Sequence, residues 1–113
     1  MKLGEIIDRL KKEDDKRKVE WGFGAGDSYR GYYDRVAFEP KYQTTIKDML
    51  EHAESMVNRT CHGYKGGEYL MTLETECHLA AWGECAEDDE IEEDVLERIL
   101  ANNSNQRPLE NNR

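Results

Sequence analysis

Residues 44–57, Thr44-Thr45-Ile46-Lys47-Asp48-Met49-Leu50-Glu51-His52-Ala53-Glu54-Ser55-Met56-Val57, decide how the chain folds. Ile46, Met49, Leu50, Ala53, Met56 and Val57 recur at helical spacing on one face, and Thr44 or Thr45 can cap the first turn through a side-chain oxygen. This is the most regular helix in the sequence. Two strand-like runs precede it. Val19, Trp21 and Phe23 alternate with Glu20 and Gly22 until Gly24-Ala25-Gly26-Asp27 breaks the pattern. Residues 32–38 make the second run, expected to stop before Pro40, which cannot donate to a ladder. After the helix, Gly63-Tyr64-Lys65-Gly66-Gly67 reads as a loop. Residues 69–73 and 77–82 then read as a hairpin joined by Glu74-Thr75-Glu76.

The outermost segments are helical. Leu3, Ile6, Ile7 and Leu10 form one apolar stripe that runs into the charged stretch from Lys11 to Lys18. Glu87-Asp88-Asp89-Glu90-Ile91-Glu92-Glu93-Asp94 leads into Val95, Leu96, Ile99 and Leu100, and acids in a first turn complement the positive end of the helix dipole. The order helix, strand, strand, helix, strand, strand, helix predicts an α+β fold, a mostly antiparallel sheet with helices packed on one face. Residues 1–101 read as a single α+β domain. The Asn-rich residues 102–113, with Pro108, read as a flexible polar tail.

With 37% apolar and 36% charged residues in a chain of 113, one core can be buried without disulfides or metal. The three cysteines, an odd number, fit free thiols in a reducing compartment. A net charge of −9 opposes binding to a nucleic-acid polymer, since that depends on neutralising phosphates. One small phosphorylated ligand remains compatible, because a few Arg, Lys and backbone N–H groups decide that locally. No run approaches the roughly 18 apolar residues of a spanning helix, and Met1-Lys2-Leu3-Gly4-Glu5 leads into charge, so a cytoplasmic protein without a membrane partner is expected.

Asp27-Ser28-Tyr29-Arg30-Gly31-Tyr32-Tyr33-Asp34 sets three tyrosines around one arginine and one glycine. Two readings fit it. Arg30 can present a planar fork to a phosphate while Tyr faces stack a base or ribose and Gly31 admits close approach. Equally, the tyrosines can pack on a sheet and Arg30 can pair with Asp27 or Asp34. Gly63-Tyr64-Lys65-Gly66-Gly67-Glu68 can offer N–H groups to an anion beside Lys65, or be a plain turn. It is not a Walker sequence, since no Ser or Thr follows the lysine, and Gly22-Phe23-Gly24-Ala25-Gly26 lacks the third glycine of a dinucleotide fingerprint.

Cys61-His62, Cys77-His78 and Cys85 supply soft ligands without any C-x-x-C, and neighbours on a strand point to opposite faces, so no metal is expected. No serine or cysteine forms a known nucleophile signature with His52, His62 or His78. The sequence therefore reads as a binding protein without enzymatic activity.

Ser28-Tyr29-Arg30-Gly31-Tyr32-Tyr33, Val36-Ala37-Phe38-Glu39-Pro40 and Gly63-Tyr64-Lys65-Gly66-Gly67-Glu68-Tyr69 together resemble a family of small proteins carried by bacteriophages and prophages. The likeness spans Trp21 to Trp82. The chain looks similar to the phage anti-Thoeris sponges, which hold cyclic ADP-ribose-type immune signals without cleaving them. The resemblance implies a homo-oligomeric α+β protein without a cofactor, acting in an infected bacterial cell on a nucleotide made by a TIR-domain enzyme. Related sponges also hold cyclic oligonucleotides. It further implies that Arg30 and Gly31, beside Ser28 and Tyr29, contact phosphate, and that Tyr64, Lys65, Gly66 and Gly67 form a loop at the ligand. Trp82 is assigned a base-stacking surface on the chemical need for a π face.

Two other functions are weighed. An acidic interaction protein would use residues 87–94 to block a basic nucleic-acid-binding surface of a host protein, and salt would weaken it. A small nucleotide-modifying enzyme would release a changed product.

Overall fold

The computed structural model describes residues 1–29, 35–62, 66–80 and 90–101. Among them are the helices α1 (Leu3–Leu10), α2 (Ile46–Ser55) and α3 (Glu93–Ala101). The strands are β1 (Lys18–Ser28), β2 (Val36–Thr45), β3 (Thr60–His62), β4 (Glu68–Leu70) and β5 (Cys77–Leu79). The fold is α+β: a sheet in the order β1-β2-β5, a β3-β4 ladder, and helices against the larger sheet. β1 and β2 pair antiparallel from Lys18↔Thr45 to Ser28↔Val36, and β5 lies parallel to β2 from Val36↔Cys77 to Phe38↔Leu79.

Three expectations are corrected. Gly24-Ala25-Gly26-Asp27 does not end the first strand. β1 continues to Ser28, and the register shift between Phe23 and Gly26 absorbs the irregularity as a bulge. β2 does not stop before Pro40 but runs on to Thr45. Among the described residues β5 pairs with Val36, Ala37 and Phe38 and none pairs with Pro40 on that side, where a missing N–H is tolerated. Nor do residues 69–73 and 77–82 pair with each other. β4 pairs with β3, as Thr60↔Leu70 to His62↔Glu68, while β5 joins β2. The segment between β4 and β5 is held by α1 instead: Leu3 N–H donates to Thr75 O at 2.8 Å and Gly4 N–H to Leu73 O at 2.9 Å. Those contacts satisfy two N–H groups that a helix start leaves without internal partners.

Both helices read from periodicity occur. α1 buries Leu3, Ile6, Ile7 and Leu10; α2 buries Ile46, Met49 and Ala53, with Met56 just beyond it. Thr45 is the N-cap, and its Oγ1 accepts from Asp48 N–H at 3.1 Å. Thr45→Ala should lower stability by about 1 kcal/mol in chemical denaturation, whereas Thr45→Ser should hold it near wild type. α3 begins at Glu93, with Glu93 and Asp94 in its first turn; Glu87, Asp88 and Asp89 lie outside the described residues. The same holds for the tail at 102–113. No helix among the described residues is long and apolar enough to cross a membrane.

In the core Phe23 and Phe38 stack at 4.4 Å between centroids, and both are fully buried with Val19, Val36, Met71, Cys77, Ile91 and Leu96. At the rim Arg9 donates to Glu97 and to Glu13, each at 2.6 Å, and Arg17 also pairs with Glu13. The hydrogen bond from Arg9 holds the Glu13 carboxyl below its ordinary range, ahead of the opposing effect of burial. Stability from this lowered carboxyl is present above the pKa of the unfolded chain and is lost as pH falls through the folded value. Melting temperature should therefore drop on acidification below about pH 4.5, and Glu13→Gln, lower by about 1 kcal/mol near neutrality, should drop less.

Candidate functional site

Tyr29 N–H donates to Arg35 O at 2.7 Å, closing the β1–β2 ladder at the ends of the segment that joins them. Val36 and Phe38 turn into the core, so Ala37 and its parallel partner His78 turn to the other face. There His78 meets Tyr29 and Arg35. The Tyr29 and His78 rings lie almost parallel, 11° apart with centroids at 3.9 Å. Arg35 Nη1 is 3.2 Å from His78 Nε2. A guanidinium has only donors, so this contact uses Nε2 as its acceptor. Tyr29 and His78 are buried, while Arg35 is exposed.

Arg35 also lines a cavity of about 350 Å³ with Leu70, Thr72, Glu74, Thr75 and Glu76. The two carboxylates in its wall are already compensated. Lys2 Nζ donates to Glu74 at 2.8 Å, and the Met1 amino group donates to Glu76 at 3.3 Å. Burial pushes the Glu76 carboxyl up, but the Met1 amino group, Glu90 and the Arg35 charge together bring it below its ordinary range. Among the described residues no carboxylate lies within ion-pair distance of Arg35. The wall thus presents one fork of donors with no carboxylate at ion-pair distance among the described residues, the arrangement that accepts a phosphate or carboxylate.

Described residues flank both motifs singled out in the sequence. Arg59 Nη1 reaches Gly26 O at 3.4 Å, and the Cys61 thiol lies by the Ser28 backbone N–H. β3 is thus in contact with β1. Ser28 is buried, and its N–H donates to Asp27 Oδ1 at 2.8 Å. Gly66, at φ +94°, has open space around it, a backbone setting that favours glycine. Gly67 lies against Tyr69, where an added Cβ would meet the phenol oxygen at 2.7 Å. Arg30, Gly31, Tyr64, Lys65 and Trp82 lie outside the described residues.

Arg35 was missed in the sequence, and His78 was weighed only as a metal ligand or a catalytic base. Arg35 stands directly before the apolar alternation Val36-Ala37-Phe38, and His78 is the outward position of Cys77-His78-Leu79. Those phases were readable. That β5 lies against β2 was not, since nothing local encodes a parallel pairing across 40 residues.

The described cysteines offer no nucleophile. Cys61 and Cys77 are free and buried; burial pushes the Cys77 thiol up to about 12 and raises that of Cys61. Protonated thiols react poorly. In a Cys85→Ser background, Ellman's reagent should find both thiols only after denaturant is added, and fast reaction in the folded protein would contradict this burial. No group of three or more His, Cys, Asp or Glu among the described residues could hold a metal ion.

No protein-family model, curated protein or solved structure matches this chain.

Proposed function

We propose that this protein binds a signalling cyclic nucleotide of the cyclic ADP-ribose type and holds it intact, as a phage-encoded sponge against a TIR-domain defence. The observation that carries the reading is Arg35, an exposed guanidinium without a carboxylate partner among the described residues, in the wall of a cavity of about 350 Å³. That volume is in the range of small-ligand pockets. The contact of β3 with β1 adds support, because in the sequence the Tyr/Arg/Gly segment follows β1 and the Gly/Lys/Gly segment follows β3. The ligand class itself comes from the resemblance to anti-Thoeris sponges.

In this reading Arg35 grips the phosphates together with Arg30 and Lys65. The His78 ring, stacked on Tyr29, fixes the guanidinium in place. Binding alone is assigned: the buried thiols are protonated, and holding the signal is enough to silence its receptor. A second copy of the chain completes the pocket.

The test is to mix purified protein with cyclic ADP-ribose isomers and with cyclic oligonucleotides, remove free ligand, denature, and identify what is released. Release of an intact cyclic ADP-ribose isomer is expected. Capture of none of them, or release of a linearised product, would overturn the proposal.

A further inference from the structure

We infer that the groove beside Trp21 and Tyr42 is a second binding site, for an uncharged polyhydroxylated ring such as a sugar unit of a neutral oligosaccharide. Trp21 and Tyr42 stand directly opposite each other in the β1–β2 ladder, with ring centroids 4.5 Å apart and planes at 48°. They are 59% and 49% exposed. Two large rings left side by side in water form the kind of exposed apolar patch that marks a contact surface.

Next to them lies a groove of about 550 Å³ whose wall includes Lys18, Glu20, Tyr42, Gln43, Thr44 and Thr45. Two features of that wall are not explained by folding. Gln43 is exposed and holds φ at +59°, a left-handed conformation that side chains other than Asn, Asp and Gly seldom adopt. Thr44 is only 3% exposed, yet its hydroxyl oxygen has no hydrogen-bond partner among the described residues. A buried hydroxyl without a partner is costly and is expected to find one.

The chemistry of the wall selects the ligand. One ammonium, one carboxylate, one carboxamide, a phenol and the Thr45 hydroxyl supply both donors and acceptors, and the two charges are of opposite sign. A ring bearing many hydroxyl groups and no charge matches that set, while its C–H face packs on Trp21 and Tyr42 as apolar surface packs on any aromatic face. A nucleotide could also stack, but its phosphate would meet Lys18 with Glu20 beside it, on a chain of net charge −9. A proline-rich peptide would use the rings and leave most of the polar wall without partners. The groove is separate from the Arg35 cavity: eight strand residues, about 25 Å, separate Trp21 from Tyr29.

The experiment is a printed array of neutral and anionic glycans probed with the full chain. Titration of any retained neutral oligosaccharide follows, reading Trp21 fluorescence in a Trp82→Phe background. Two controls are titrated in parallel, AMP and a hexaproline peptide. At least one neutral glycan should be retained and should change the Trp21 emission. Its affinity should fall about tenfold or more in Trp21→Ala and in Gln43→Ala, as loss of a central contact does. Thermal melts should show both variants folded; Gln43→Gly, which relaxes the backbone but removes the amide, should lose binding without losing stability. Retention of anionic glycans alone, response to AMP or hexaproline alone, retention of nothing, or equal binding by Trp21→Ala would each overturn the assignment.

Discussion

Phe38→Ala should lower the stability of this fold by about 3–5 kcal/mol, the largest loss expected from any single truncation in the described core. Phe38 is fully buried, stacks on Phe23 and sits in β2, the strand that both β1 and β5 pair with. It also packs where Gly26 has no side chain. A Cβ at Gly26 would lie 3.0 Å from the Phe38 ring and 3.2 Å from Met56 Cγ, so the ring fills a space left by glycine and cannot be replaced by collapse of one neighbour. Since a domain of this size has only about 5–15 kcal/mol in hand, urea denaturation should show Phe38→Ala partly unfolded in water or close to it. Phe38→Leu should cost much less, about 1 kcal/mol, because volume is nearly kept. Equal loss in both would mean that the aromatic stack, not the cavity, dominates. An unchanged Phe38→Ala would contradict the placement of this ring in the core.

The second large effect concerns binding. Arg35→Ala should weaken capture of a cyclic ADP-ribose isomer by about 100-fold, because a charge-assisted fork to a phosphate contributes roughly 1.5–3 kcal/mol. Arg35→Lys keeps the charge but loses the planar fork and should fall about tenfold. Neither change should move the melting temperature much, since the side chain is exposed and its hydrogen bond among the described residues is the one to His78. Equilibrium dialysis of each variant checks this. Capture unchanged in Arg35→Ala would remove this cavity from the account, even if the protein still held a nucleotide elsewhere.

What could be read from the sequence follows from the range of the interactions involved. α1 and α2 were legible because a helix writes its contacts at three- and four-residue spacing, as Leu3, Ile6, Ile7 and Leu10 do, and because Thr45 has a local capping task. Gly24 and Gly26 misled, since glycine weakens a strand locally while here the partner strand's Phe38 needs the room at Gly26. Pro40 misled for a related reason, its tolerance depending on how far β5 extends along β2. Of the runs 69–73 and 77–82, the starts are extended, in β4 and β5, but their partners lie far away in sequence, and α1 takes the turn between them.

The site divides along the same line. Ser28 and Tyr29 stood out by composition, and Tyr29 does lie in the aromatic contact at the end of β1. Arg35 drew no attention because it is ordinary in its own segment, and His78 was weighed only beside cysteines and serines. Their meaning arises when a parallel strand brings positions 35 and 78 within hydrogen-bond distance. Compensation of Glu74 by Lys2 and of Glu76 by the Met1 amino group is likewise a product of the fold. Without it the cavity would read as acidic and repel a phosphate.

The most direct measurement is mass spectrometry of small molecules extracted from the protein after expression beside an active TIR-domain defence system. The account predicts an intact cyclic ADP-ribose mass, close to stoichiometric in wild type and strongly depleted in Arg35→Ala. Wild-type protein that carries no nucleotide, or only a hydrolysed one, would contradict it.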